Sequence, residues 1–157
     1  MLSWQAFRAA EPELADHGRR LLYQFGVGLA FLATVRPDGG PRVHPMCPLI
    51  DDVGLYAFLI PSPKRDDLHR DGRYAMHSFP ADDNEDAFSV RGIARPLADP
   101  NERRALEARF RDERDLSELP DGFAEQELFA FEIEGCLHTV TTGHGDPAPR
   151  HRIWRGP

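Results

Sequence analysis

The hydrophobic period changes early in the chain. Between residues 3 and 24 a helix is expected: Leu14, Leu21 and Leu22 share a face, Glu11-Pro12 offers an entry and Gly26 lies beyond the end. From Val27 the pattern shortens. VGLAFLATV (27–35) and PRVHPMCPLI (41–50) are apolar runs of strand length. Asp38-Gly39 between them is a hairpin signal, because both residues tolerate the positive φ that tight turns require. A turn at Asp51, Asp52 and Gly54 leads into LYAFLI (55–60), which has almost no polar side chain and so reads as a strand covered on both faces.

Ser62, Pro63 and Gly72 then bracket a short helix over 63–71. RYAMHSF (73–79), AFSVRGIARPL (87–97, with Gly92 at a bulge) and ELFAFEIEGCLHTV (127–140) read as further strands. HRIWR (151–155) reads as a last strand or an extended tail. Asp99-Pro100 opens a charged helix reaching about residue 114, with Leu106 and Phe110 as its packing stripe, and residues 115–126 are loop or a short helix. Six or seven mostly sequential strands with peripheral helices predict a mainly β (α+β) fold, a small antiparallel barrel. At 157 residues the chain is expected to form a single domain over 1–157.

Composition then narrows the function. A net charge of −7 argues against a general nucleic-acid binder and against an anionic membrane surface, both of which call for a basic face. No run approaches the ~18 apolar residues of a membrane-spanning helix, and the charged N-terminal stretch lacks the apolar core of a signal peptide. A cytoplasmic protein is expected. Cys47 and Cys136 are far apart with no CxxC, and are expected as buried free thiols. The seven histidines include no HxH or HxxxH, so no metal site is expected. His44 is either a ligand-side or a packed residue, His77 a core or surface residue, and His144 a loop residue. GxSxG, GxGxxG and P-loop patterns are absent from the sequence.

Candidate chemistry concentrates in PSPKRDDLHRDGR (61–73). Lys64 is the only lysine in the chain. A helix N-terminus exposes unpaired N–H groups and carries a partial positive charge, which suits anions. Ser62, Lys64 and Arg65 add a hydroxyl, an ammonium and a guanidinium there, and Arg42 in the preceding hairpin can supply a bidentate fork. Two readings stand at this point. One is a phosphate seat. The other is an ordinary capped helix whose Asp66 and Asp67 pair with Lys64 or Arg65.

The order of the parts adds to this. LATVRPDGGPRVHP, then GLYAFLIPSPKRDDLHRDGRYAMHSF, then FSVRGIARPL, within about residues 20–98, resembles the pyridoxamine 5′-phosphate oxidase-like flavoproteins with the FMN-binding split barrel. The resemblance implies an antiparallel split β-barrel of six to seven strands, a homodimer, and FMN in a groove at the dimer interface. It implies that Arg42, Ser62, Lys64 and Arg65 face the phosphate. Val43, His44 and Pro45 would line the isoalloxazine or ribityl chain, and Phe58 and Leu59 would supply strand wall and backbone contacts. Trp154, with Arg152 or Arg155, echoes the family's terminal aromatic and arginine near the flavin. Ala57-Phe58 stands where authentic pyridoxamine phosphate oxidases carry Tyr-Thr, and their longer C-terminal section has no counterpart, so vitamin B6 oxidation is not implied.

The implied activity is FMN-dependent oxidoreduction of a small substrate through flavin N5, with NAD(P)H as a candidate electron source. The alternatives are an F420-dependent reductase of the same fold, or a non-catalytic flavin- or haem-binding carrier or sensor; in a haem-binding relative His138 would be the residue to approach the haem. Flavin carries its own redox chemistry, so no catalytic side chain is nominated.

Overall fold

The computed structural model describes all 157 residues. Its first departure from expectation is at Pro12. The helix expected over 3–24 is two, α1 (Trp4–Ala10) and α2 (Pro12–Leu22), because proline suits a helix start and not a helix interior. Ser3 caps α1 by accepting from the Ala6 amide at 3.2 Å.

The rest follows as β1 (Ala30–Val35), β2 (Pro41–Met46), β3 (Leu49–Ile50), β4 (Leu55–Leu59), α3 (Pro63–Arg70), β5 (Arg73–Ser78), β6 (Ala87–Pro96), α4 (Pro100–Glu113), a 3-10 turn (Phe123–Glu125), β7 (Glu127–Val140) and β8 (Arg150–Arg155). The β1–β2 hairpin turns at Gly39, whose φ is 84°. Eight strands replace the six or seven expected, because Cys47-Pro48 interrupts the run 41–50.

All eight lie in one antiparallel sheet, ordered β2-β1-β5-β6-β7-β4-β3, with β8 added to β7. The two ends of this order, β2 and β3, are separated in sequence by Cys47 and Pro48 alone. The sheet must therefore curl until its ends meet. Its closure is covalent, through the Cys47-Pro48 link, where a fully closed barrel would have a ladder of hydrogen bonds. That leaves a seam between β2 and the β3–β4 edge.

Two long strands make the curl. One stretch of β7 (Glu127–Ala130) pairs with β4, its far end (Gly135–Val140) pairs with β8, and β6 runs along its other edge. The β6–β7 register shifts between Arg91 and Gly92, the bulge anticipated from the glycine. A Cβ on Gly92 would lie 1.9 Å from the Glu132 carbonyl oxygen, so only glycine permits this backbone approach.

The main core includes Leu32, Met76, Phe88, Phe129 and Phe131, together with Trp4, Phe7 and Leu14 from the N-terminal helices. Each such side chain contributes about 1.5–3 kcal/mol by leaving water. A second cluster joins Leu49, Tyr56, Phe58 and Leu128 to Leu106 of α4 and Phe123 of the 3-10 turn. β4 is thus packed on both faces, and all five of its residues are buried. No helix is long and apolar enough to cross a membrane.

Candidate functional site

The chain leaves β4 at the seam. Ile60, just past the strand, is 52% exposed, and the chain turns at Pro61 into Ser62, the residue that precedes α3. A recess of about 240 Å³ opens at this corner. Met46 at the end of β2 and Cys47 just beyond it line the recess, with Phe58 and Leu59 of β4, Ile60 after it, Lys64 of α3 and Phe110 of α4.

Lys64 is partly buried in this largely apolar setting and makes no salt bridge or hydrogen bond to the protein through its side chain. Burial holds its pKa below the ordinary lysine range, with the Cys47 thiol opposing in part. The acidic neighbours leave it alone. Asp67 turns inward, is 1% exposed, and accepts from Arg42 Nε at 2.7 Å, Thr34 Oγ1 at 2.8 Å and the Arg70 guanidinium at 3.1 and 3.2 Å. Burial would raise the Asp67 pKa; the hydrogen bonds from Arg42, Thr34 and Arg70 outweigh it and hold the carboxyl below the usual range. Asp66 is exposed and unpaired. The pairing of Asp66 or Asp67 with Lys64 that an ordinary capped helix would show is not formed.

Arg42 is bound to Asp67 through Nε, which leaves its two terminal nitrogens without protein partners. Ser62 occupies the N-cap position but does not cap. Its hydroxyl donates back to the Ile60 carbonyl at 2.9 Å, and the first turn of α3 has no side-chain cap. Phe58 and Leu59 lie in the strand wall as expected, both buried. Val43, His44 and Pro45 are exposed along β2, the end strand of the sheet, with Val43 at 58%.

Of the residues expected around the phosphate, Lys64 alone lines the recess; Arg42 and Ser62 are held at Asp67 and Ile60 instead, and Arg65 and Trp154 lie further off within one chain. Arg65 is directed away, its Nη1 donating to the Glu125 carbonyl at 3.3 Å and its Nε 3.7 Å from Glu127. Trp154 sits in β8 opposite Cys136 and packs on Phe7 with ring centroids 5.0 Å apart. Arg152 is engaged by Glu11 and Glu13. The expectation that both cysteines are buried fails for Cys47, which lies in the β2–β3 link and is exposed.

The sequence reading missed Cys47 and Phe110 as recess residues, and Asp67 as the anchor of Arg42. Asp67 had a local signal, since Arg70 follows at i+3. The other two are placed by the seam, which no local pattern reports.

No protein-family model matches the chain, and no curated protein matches it in sequence. Solved structures match it in shape. An F420 reductase is 24% identical, aligned over 69% of this chain and 87% of its own, with a TM-score of 0.57. The heme binding protein from Mycobacterium smegmatis is 14% identical over 90% of this chain and 57% of its own, with a TM-score of 0.69. General stress protein 26 from Bacillus anthracis is 18% identical over 89% of this chain and 96% of its own, with a TM-score of 0.61. The shared architecture is the pyridoxamine 5′-phosphate oxidase-like split barrel, and the fold expected from the order of sequence motifs is the one observed.

Proposed function

We propose that the chain is an FMN-binding oxidoreductase that seats the flavin phosphate beside Lys64 in the recess at the end of β4, with Arg42 and Ser62 as further contacts. The observation that carries this reading is Lys64. A lone ammonium in an apolar recess, with the nearby carboxylate drawn off by Arg42, Thr34 and Arg70, is a cation without a counter-ion. Partial burial disfavours the charged ammonium, and a ligand phosphate is the kind of partner that would offset that cost.

The residues at the corner fit a phosphate monoester. Lys64 supplies a charge-assisted contact, its own amide is the one free backbone donor in the first turn of α3 because Arg65 and Asp66 donate to the Ser62 carbonyl, and the two unoccupied nitrogens of Arg42 offer a fork. The exposed edge of β2 at Val43, His44 and Pro45 is the surface available to the ring system and ribityl chain, while buried Phe58 and Leu59 keep the wall beneath it dry. When bound, the flavin supplies two-electron transfer to and from a small substrate or a nicotinamide. The protein's part is to bind, orient and exclude water. Arg65 and Trp154 are left out of this single-chain seat.

The same reading includes a homodimer, because the end strand β2 is an unpaired sheet edge carrying the exposed apolar side chain of Val43. A second cofactor is favoured by one neighbour's name: F420, the deazaflavin of the F420 reductase, also carries a phosphate that suits the corner. The test is the visible spectrum of the freshly purified protein, followed by mass analysis of what denaturation releases. Released FMN supports the reading, released F420 changes the cofactor and keeps the seat, and no chromophore before or after adding either one overturns it.

A further inference from the structure

A second recess, of about 260 Å³, lies at the far end of β7 and shares no residue with the seam. It is lined by His17, His138, Val140, Arg150, His151 and Arg152. Register explains the grouping. His138 faces Arg152 and Val140 faces Arg150 across the β7–β8 pair, so these four occupy one side of the hairpin. α2 lies over that side. Gly18 lets it approach closely, since a Cβ there would meet the Phe88 ring at 2.6 Å. The neighbouring His17 stacks on His138 with centroids 4.5 Å apart and rings 18° from parallel.

Three features of this recess call for an anion. His138 is 5% exposed, and its Nε2 is buried with no hydrogen-bond partner, which native folds normally avoid. Arg150 has no carboxylate within salt-bridge distance, whereas Arg152 is already engaged by Glu11 and Glu13. The charged surroundings of His138 are mainly positive: burial, then His17, Arg20 and Arg152 lower its pKa, and only Asp86 opposes. Asp86 is itself occupied, accepting from the Thr141 amide at 2.7 Å and the Thr141 hydroxyl at 3.1 Å. Burial and positive neighbours disfavour a proton on His138, and a bound anion would offset both.

We infer that this recess binds a phosphoryl group, with Arg150 and His17 as its outer contacts and His138 as its inner one. Rotation about the broad terminal torsion of His138 turns Nε2 toward the recess the ring already lines. A bound phosphoryl group favours the protonated form of His138, so phosphate should raise the pH at which the His138 signal titrates. The group has two sources, free inorganic phosphate or the phosphate of a small organic ester.

The experiment is a titration of the whole protein, following the histidine Cε1–H signals by NMR. Inorganic phosphate and ribose 5-phosphate are compared with chloride at matched ionic strength. The expected result is a saturable shift of the His17 and His138 signals with both phosphates and not with chloride, together with a His138 titration moved to higher pH by phosphate. Tighter binding of the sugar phosphate identifies an organic ester as the ligand class, and equal binding identifies the free ion; both support the site. Arg150→Ala, at an exposed position, should weaken binding about tenfold without unfolding the protein. Lys64→Ala should leave it unchanged, which separates this site from the seam. Shifts that chloride reproduces, no saturable shift, or undiminished binding in Arg150→Ala overturns the inference.

Discussion

Arg42 Nε donates to Asp67 Oδ2 at 2.7 Å, and this bond ties the end strand β2 to the helix that begins at the recess. Asp67 is 1% exposed and also holds Thr34 of β1 and Arg70 of α3, so one carboxylate joins three elements across the barrel wall. It is also why Lys64, on the first turn of the same helix, has no internal counter-ion.

Asp67→Asn should therefore destabilise the fold. Removing one member of a buried, hydrogen-bonded pair costs about 3 kcal/mol at the lower end of the usual range. Thermal unfolding should fall by roughly 6–12 °C for a domain of this size. The native carboxyl is held below its usual 3.8, so its stabilisation is fully present above that value and is lost as pH falls through the lower native pKa. Melting curves taken downward through that range should show a steeper acid loss in the wild type than in Asp67→Asn. Parallel acid profiles would contradict the assigned role.

The two thiols should react very differently. Cys47 is exposed at the recess, whereas Cys136 is buried and its pKa is pushed up to about 12, by burial first and by Glu11 second. Iodoacetamide should label Cys47 alone in the folded protein, as peptide mass mapping would show. FMN at ten times its Kd should slow that labelling about tenfold, because only the unoccupied site reacts. Labelling indifferent to FMN would separate the flavin from this corner.

Gly92→Ala should damage the barrel rather than the recess. The added carbon would lie 1.9 Å from the Glu132 carbonyl oxygen, which belongs to a neighbouring strand and cannot swing aside. A loss of about 3 kcal/mol is expected, the top of the range for overpacking. Chemical denaturation would measure it, and a variant within experimental error of wild type would show that the bulge does not depend on glycine.

The exposed β2 edge predicts a dimer. Light scattering should report twice the 17.7 kDa chain mass at working concentration. A monomer at that concentration would remove the homodimer from the account.

Much of this architecture was written locally. The apolar run 55–60 announced a strand buried on both faces, Asp38-Gly39 its hairpin, and Gly92 its bulge, because backbone geometry and burial act on neighbours in sequence. The seam was not legible. It depends on β2 and β3 ending up at opposite ends of the sheet although only Cys47 and Pro48 part them, and that order is fixed by long-range pairing. The same non-local cause brought Cys47 and Phe110 to the recess and sent Arg65 toward Glu127. Lys64 was visible as a rarity in the sequence, but its lack of a partner became evident only once Asp67 was seen to face inward.

If Lys64 is the counter-ion of a flavin phosphate, FMN affinity measured by fluorescence titration must differ between the wild type and Lys64→Ala. One lost charge-assisted contact, worth roughly 1.5–3 kcal/mol, predicts binding weakened about tenfold to a hundredfold, with riboflavin, which lacks the phosphate, bound equally weakly by both proteins. Equal FMN affinity in the two proteins, or no FMN binding by the wild type, would contradict it.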